Sequence, residues 1–527
     1  MREKRSIDKN SIDADHLRRM TQIGVVLSAE KDIDRLLERI LTEARTITHA
    51  DGGTLYLMSE GEKELQFAFI QNESMGMNMG GAGGKITWQP VSMTGADGLP
   101  NHSNVSAHVA ITQNAVNIQD VYHAPGFNFD GPRAFDQKTG YRTQSMLVVP
   151  MRNHDNDIIG VVQLINAKNP QTGRVIPFSG KAQELAWSLA SQAAVALTNN
   201  LLILELQNLL DAFIQTIAIA IDEKSPYTGG HVRRVADLTI TIAEKINQTS
   251  EGHFAGISFS DDQMRELRMA AWLHDVGKIT TPESVVDKST KLETVHDRIE
   301  EVKTRFELLK REYQLMILQT QNKLDASSPA DAEREIQALD EEFEFLKQLN
   351  YGSEFTQDKM IERIRQIAKR QWQSGTQTLP LLTENEIYNL SIRRGTLNDE
   401  ERDIINNHAA VTYKMLTSLP FPRKLKKIAE YAAAHHEKLD GSGYPLGLKG
   451  DQLSLQSRII ALADIFEALT AKDRPYKKGK TLGEALKIME MMVKDQHLDK
   501  NLYDLFIQEK IYRDYAAKEL ATQQMDV

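Results

Sequence analysis

Apolar residues along this chain change their spacing repeatedly, and each change marks an element. From about His16 to Ile47 they recur at helical intervals. Ile23, Val26 and Leu27 are followed by Ile33, Leu36, Leu37, Ile40, Leu41 and Ala44, which predicts an unbroken amphipathic helix. Asp51-Gly52-Gly53 reads as a turn and Thr54–Met58 as a strand. Residues 72–106 lose all periodicity and gather Gly80, Gly81, Gly83 and Gly84, which predicts a long loop. Ser145–Met151 and Ile158–Asn166 are apolar runs on either side of Asn153-His154-Asp155-Asn156-Asp157, a hairpin pattern. A helix then runs from near Ser179 to near Ile221. Its face of Leu185, Leu189, Gln192, Val195, Ala196 and Leu202 suits pairing with a second copy.

Further on, Val295, Ile299, Val302, Phe306, Leu309, Tyr313 and Met316 alternate by four and three, a heptad. Residues 325–329 break it, and Ile336, Leu339, Phe343 and Leu346 resume it. These predict an antiparallel coiled-coil hairpin, followed by a third amphipathic stretch from Met360 to Trp372. Between the apolar positions lie Glu, Lys and Arg, so the segment reads as structural or partner-binding helices. Its one histidine, His296, is expected to be exposed. A lid or docking arm is the alternative.

Composition narrows the chemistry. At 527 residues the chain is too long for one core. It contains no cysteine, which excludes disulfides, zinc–thiolate sites and thiol nucleophiles and leaves His, Asp and Glu as metal ligands. The net charge of −10 disfavours non-specific binding to nucleic acid or anionic membrane. The polar start, Met1 to His16, does not resemble a signal peptide, and no uninterrupted run of 18 apolar residues stands out, so a cytoplasmic protein without a membrane span is expected.

Candidate ligands sit in separate segments of the second half: His231, the pair His274-Asp275, His408, the pair His435-His436, and Asp464 within the apolar run Ile459–Phe466. A carboxylate isolated in such a run costs several kcal/mol unless it is paired or bound to metal. Imidazole and carboxylate donors without thiolate suit Fe or Mn, with Zn or Ni as alternatives. The set exceeds one ion's needs, so two divalent ions are expected, with Asp275 bridging. Two ions about 3.5–4 Å apart activate water and stabilise a phosphoryl transition state. His102, His108, His123, His154 and His253 are read as ordinary surface or core residues.

Two family resemblances emerge from these residues. Helix, strand, loop, hairpin and exit helix over residues 20–200 resemble a GAF sensory domain. Asn166 and Lys168 are similar to the start of the asparagine–lysine motif of its cyclic-nucleotide-binding members, with one extra residue between them. Gln183-Glu184 stand where the acidic pair of that motif is expected. The second half is identified as a member of the HD-GYP family of HD phosphohydrolases, from His274-Asp275 with Gly277-Lys278 and from His435 to Pro445, which reads HHExxDGxGYP.

The second resemblance implies hydrolysis of cyclic di-GMP to pGpG and, in some members, on to GMP. It implies metal ligation by His231, His274, Asp275, His408, His435, His436 and Asp464. It gives Lys278 the scissile phosphate and makes Lys278 and Asp275 the catalytic pair. Gly441, Gly443, Tyr444 and Pro445 would form the substrate loop, and Arg474 and Lys477 would grip the substrate. Members with three metals carry a glutamate four residues before the first histidine; Tyr227 stands there, so two metals are expected. Glu467 replaces a common aspartate.

The expected architecture is multidomain. A polar tail spans 1–16, and an α+β GAF domain with an antiparallel sheet spans 17–200, its exit helix of 180–220 acting as connector. An all-α HD-type bundle spans 205–500, with a helical insert at 293–396 and a C-terminal helix or tail at 501–527. Expected partners are the cyclic di-GMP substrate, a small molecule of unknown identity at the GAF domain and a second copy through the connector, with no nucleic-acid polymer and no membrane. The competing readings are a catalytically weak cyclic di-GMP-binding protein that signals through the insert, and an HD phosphohydrolase for another cyclic dinucleotide or a nucleotide.

Overall fold

The computed structural model describes residues 18–224, 229–320, 329–352, 355–471 and 479–527. The expected polar tail, the Ser-rich break at 325–328 and Tyr227 lie outside the described residues. The chain divides into two compact units, Met1–Leu209 and Leu210–Val527.

In the first unit α1 (18–29) and α2 (Ile33–Thr48) are separate helices, where the sequence predicted one. The cause is Asp32, whose extended backbone and side chain cap α2 by accepting from the Arg35 amide at 2.9 Å. β1 (Ala50–Met58) begins earlier than expected and takes in the supposed Gly-Gly turn. A Cβ on Gly53 would lie 2.8 Å from the Leu41 side chain, so this strand needs glycine to let α2 approach.

β2 (Glu64–Asn72) is an unforeseen partner of β1. The rest of the unit is β3 (Met77–Met79), β4 (Val91–Ser92), α3 (Val105–Thr112), β5 (Val116–Ile118), α4 (Asp130–Thr139), β6 (Met146–Arg152), β7 (Ile158–Lys168), β8 (Val175–Ile176) and α5 (Gly180–Asp222). The predicted hairpin is thus β6–β7, and the antiparallel sheet runs β3-β2-β1-β7-β6-β5.

One sheet face packs on α1, α2 and the start of α5, burying Leu36, Ile40, Leu164, Leu189 and Ala196 among others. Leu189 and Ala196, expected on the pairing face, are therefore used inside the unit. The other face and α3–α4 enclose a cavity of about 370 Å³, with Tyr56, Phe67, Trp88 and Phe135 in its wall and no ionisable Asp, Glu, Lys, Arg or His lining it. Asn166 and Lys168 do not line it. Asn166 accepts from the Gln144 amide and donates to the Arg142 carbonyl, while Lys168 pairs with buried Asp51 and Ser74. Both residues tie the end of β7 to its neighbours.

Past the first unit's core, α5 exposes Leu202, Leu206, Leu209 and Phe213. By length and composition alone α5 is apolar enough to cross a membrane.

The second unit is helical. Its main core joins α6 (His231–Gln248), α7 (Asp261–Leu273), α14 (Ile428–Ala433), α15 (Leu455–Thr470), α16 (Leu482–Lys494), α17 (Lys500–Gln508) and α18 (Ile511–Glu519). Phe506, Ile511 and Tyr515 are part of that core, so the boundary expected at 500 falls inside continuous packing. α8 (Glu283–Val286) and α13 (Asp399–Thr417) flank it.

The insert has a separate core. Val302, Phe306 and Leu309 of α9 (Ile299–Thr320) meet Leu339 and Leu346 of α10 (Pro329–Asn350), with the Phe306 and Phe343 rings 5.6 Å apart. α11 (Asp358–Ile367), a hairpin of β9 (Gln371–Ser374) and β10 (Gln377–Pro380), and α12 (Glu384–Leu390) complete it. Val295 precedes the helix and is 97% exposed, and Trp372 lies in β9, so the heptad and the third amphipathic stretch are both shorter than predicted. His296 is exposed beside Glu301, as expected.

The two ends of the insert meet. Lys288 pairs with Glu401 at 2.7 Å, Thr396 donates to the Lys288 carbonyl, and the Lys291 amide donates to the Asn350 carbonyl. The buried Lys291 ammonium donates to Thr356 Oγ1 and the carbonyls of Leu390 and Ile392; burial pushes its pKa down to about 8.

Candidate metal centre

Helix ends deliver most of the candidate ligands. Gly230, in the left-handed region at φ 85°, turns the chain so that His231 opens α6. α7, nucleated by a Ser260–Gln263 capping box, ends at Leu273 with His274 as its C-cap, and Asp275 starts the 3₁₀ turn Val276–Thr280. His408 lies within α13, His435 and His436 in the 3₁₀ turn after α14, and Asp464 within α15.

A close approach locks two of these pieces together. A Cβ on Gly277 would lie 2.0 Å from the His408 carbonyl oxygen, so only glycine lets the Asp275 turn lie against α13. Thr412 of α13 accepts from the Gly277 amide and donates to the His274 carbonyl.

Asp275 stands at the centre. Its Oδ2 is 3.5 Å from His231 Nε2 and 3.3 Å from His274 Nε2; its Oδ1 is 3.3 Å from His408 Nε2 and 4.0 Å from His435 Nε2. Asp464 Oδ1 lies 3.4 Å from His231 Nε2 and 3.8 Å from His274 Nε2. Two groups with ligand geometry result among the described residues: His231 with His274 and Asp275, and His408 with His435 and His436. His102, His108, His123, His154 and His253 belong to neither group.

The hydrogen bonds of these rings test the fit to metal. His274, His408 and His435 each turn Nδ1 to a backbone carbonyl three residues back, and His231 turns Nδ1 to Glu467 at 2.5 Å. That fixes the ring so that Nε2 faces inward. The Nε2 atoms of His274, His408 and His435 and Oδ1 of Asp275 are buried without a hydrogen-bond partner. Buried acceptors aimed at a common point are the donor set that a divalent cation requires, and the residues fit one.

Charge separates the two groups. Burial, reinforced by neighbouring imidazoles, holds His435 well below the usual histidine range, and burial pushes His436 down to about 4. Both are therefore neutral, the form that ligates. Burial opposes protonation of His231 and His274 too, but there the surrounding carboxylates prevail and raise both. A cation at that position would displace those protons. Burial would raise Asp275 and Glu467, yet Lys278 and His274 hold Asp275 well below the carboxylate range, and His231 and Arg234 do the same for Glu467.

The residues expected to form the substrate loop follow directly on the His435-His436 turn. Tyr444 stacks on His436 at 4.8 Å, and the Tyr444–Pro445 peptide is cis. Gly441 is at φ 82°, and a Cβ on Gly443 would sit 2.4 Å from Glu437 Cα. Lys278 Nζ is 2.6 Å from Asp275 Oδ2. Arg474 and Lys477 lie outside the described residues.

Two further residues had no assigned role in the sequence. Buried Glu437 is turned away from the imidazoles and accepts from the amides of Leu446, Gly447 and Leu448. Glu467 bridges His231 and Arg234. A buried acid next to a His-His pair and an acid one turn after Asp464 were the available signals.

Comparison with known proteins agrees with this layout. Residues 32–197 match the GAF domain family, and residues 228–348 and 350–502 match two HD domain families. The chain is similar to a 3'3'-cGAMP-specific phosphodiesterase 3 of Vibrio cholerae, 28% identical over 53% of this chain and 36% of the relative. It is similar to a 3'3'-cGAMP-specific phosphodiesterase 1 of the same organism, 41% identical over 21% of this chain and 25% of the relative. A cyclic di-GMP phosphodiesterase of Thermotoga maritima is 39% identical over 19% of this chain and 27% of its own length. The matches thus span about a quarter to a third of each of these relatives. The family matches thus set a GAF domain ahead of an HD-domain region, and the helix-borne histidines and the central His-Asp pair lie in the HD-matching part.

Proposed function

We propose that the chain is a metal-dependent phosphodiesterase that opens cyclic di-GMP to pGpG, with GMP as a further product, under control of its GAF domain. The observation that carries this is the cluster of buried, unpartnered Nε2 atoms around Asp275. Two divalent cations, Fe or Mn first and Zn or Ni as alternatives, would be held by His231, His274, Asp275, His408, His435, His436 and Asp464. Bound there, they supply an activated water and offset phosphoryl charge. Asp275 faces both groups and is suited to bridging. Lys278 places its ammonium at the rim, where it can turn from Asp275 to a phosphate oxygen. Tyr444 offers a ring beside His436 for a nucleobase or ribose, and Gly441, Gly443 and Pro445 shape its loop. Arg474 and Lys477, by the family resemblance, would grip the substrate phosphates or guanine.

A second reading, hydrolysis of 3'3'-cGAMP, is favoured by the names of the first two relatives above. Both substrates should be tested with Fe- and Mn-loaded protein, following product by chromatography. Turnover of neither would refute the proposal.

The GAF cavity, lined among the described residues by aromatic, apolar and amide side chains such as Tyr56, Phe67, Trp88 and Gln163, supports a small ligand. The exposed Leu202, Leu206, Leu209 and Phe213, spaced by four, three and four, support a homodimer along α5. Sedimentation of Leu206→Lys with Phe213→Lys tests this pairing; a dimer that survives both changes would refute it.

A further inference from the structure

The 3₁₀ turn that carries Lys278 is held from two sides. On one side Thr412 binds Gly277. On the other, Lys224, two residues beyond the end of α5, donates from Nζ to the carbonyls of Lys278 at 3.4 Å, Ile279 at 2.9 Å and Thr281 at 2.6 Å. These carbonyls lie at and just past the end of a short 3₁₀ helix, where a cation is favoured; that of Lys278 also accepts from the Thr281 amide at 3.0 Å. An ammonium has three donors, and here three acceptors meet them. The same end of α5 also reaches the other ligand segment: Asp222, its last residue and buried, accepts from the Val232 amide at 3.4 Å, next to His231.

We propose that Lys224 is a positioning residue: its ammonium sets the backbone of residues 278–281 and so aims the Lys278 side chain, coupling the last turn of α5 to the reactive end of the site. The inference rests on the phosphodiesterase reading for the role of Lys278, and on geometry alone for the clamp. The bonds of Lys224 go to backbone carbonyls, so its effect on Lys278 runs through the backbone it holds. A displacement of about 1 Å in a phosphate-binding group is enough to cost a large factor in rate.

The test uses the full chain loaded with manganese, cyclic di-GMP as substrate, and the variants Lys224→Met and Lys224→Arg. Lys224→Met should lower kcat by about ten- to a hundredfold with KM and bound manganese unchanged. It should also speed hydrogen–deuterium exchange at the amides of 276–281. Lys224→Arg, which keeps the cation, should restore most of both. Unchanged kcat and exchange in Lys224→Met would overturn the inference, as would loss of manganese in parallel with activity, which marks a general folding role. If the wild-type protein turns over neither cyclic di-GMP nor 3'3'-cGAMP, the phosphodiesterase reading fails. The exchange rates then decide the clamp: faster exchange in Lys224→Met upholds it, and wild-type exchange overturns it.

Discussion

Glu437 is the sharpest place to separate structure from ligation, because an acid directly after two histidines invites reading as a metal ligand. Its carboxylate is 2% exposed and fully used elsewhere. Oε1 accepts from the Leu446 amide at 2.6 Å and the Gly447 amide at 3.0 Å, and Oε2 from the Leu448 amide at 3.0 Å. In Glu437→Gln the side-chain oxygen can keep the first two bonds. The new NH2 then faces the Leu448 amide, donor against donor. One hydrogen bond to a charged group is lost, worth about 1.5–3 kcal/mol. At 1.4 kcal/mol per decade this lowers the ordered fraction of the Tyr444–Leu448 loop by about ten- to 150-fold, if the loop bears the whole cost. The expected outcome is a KM for cyclic dinucleotide raised by up to that factor, with kcat within about threefold of wild type. Bound metal per chain, measured by elemental analysis, should not change, and proteolysis within 441–448 should quicken. Loss of metal from Glu437→Gln with KM unchanged would refute the reasoning and make Glu437 a ligand.

Asp275→Asn should lower bound metal and abolish turnover while leaving the helical circular dichroism in place, because an amide cannot serve as an anionic bridge; metal retained at the wild-type level would exclude bridging. Gly277→Ala forces a methyl to within 2.0 Å of a backbone oxygen. It should cost about 3 kcal/mol or more of stability, visible as a lower Tm, whereas an unchanged Tm would mean the turn and α13 can part freely. Lys291 supplies a pH test. Below about pH 8 it is charged in both folded and unfolded chains, so its burial cost is fully present. As pH rises from there towards the unfolded value, the folded chain sheds the proton first and stability recovers. Wild-type stability measured against Lys291→Met should therefore improve between pH 8 and 10. A flat difference would show that its three hydrogen bonds hold the charge.

What could be read in the sequence depended on where each residue finds its partner. The β6–β7 hairpin was legible because both strands and their turn are contiguous. β2 was not, since Glu64–Asn72 mixes polar and apolar positions and is defined by its pairing with β1. The Gly52-Gly53 pair looked like a turn because glycine in a strand is explained only by Leu41 and Ile165 pressing from elsewhere in the chain. Similarly, the candidate ligands were legible as residue types that are costly to bury alone. Their convergence on Asp275 is tertiary, and so are the bonds of Glu437, Glu467 and Lys224. Lys224 in particular resembles any exposed lysine until the carbonyls of 278–281 are seen around it.

The stitched ends of the insert have a consequence for how such a chain can vary. Thr396 and Lys288 are in contact, Lys288 reaches Glu401 at the head of α13, and the hundred or so residues between fold around apolar side chains of their own. The helical core around α6, α7 and α13 therefore sees this segment as a closed loop whose ends begin and finish at one point. Loop-closure entropy grows only slowly with length, so a long excursion from such a point costs the host little more than a short one. A change in the length of this segment should therefore leave His274, Asp275 and His408 in their places.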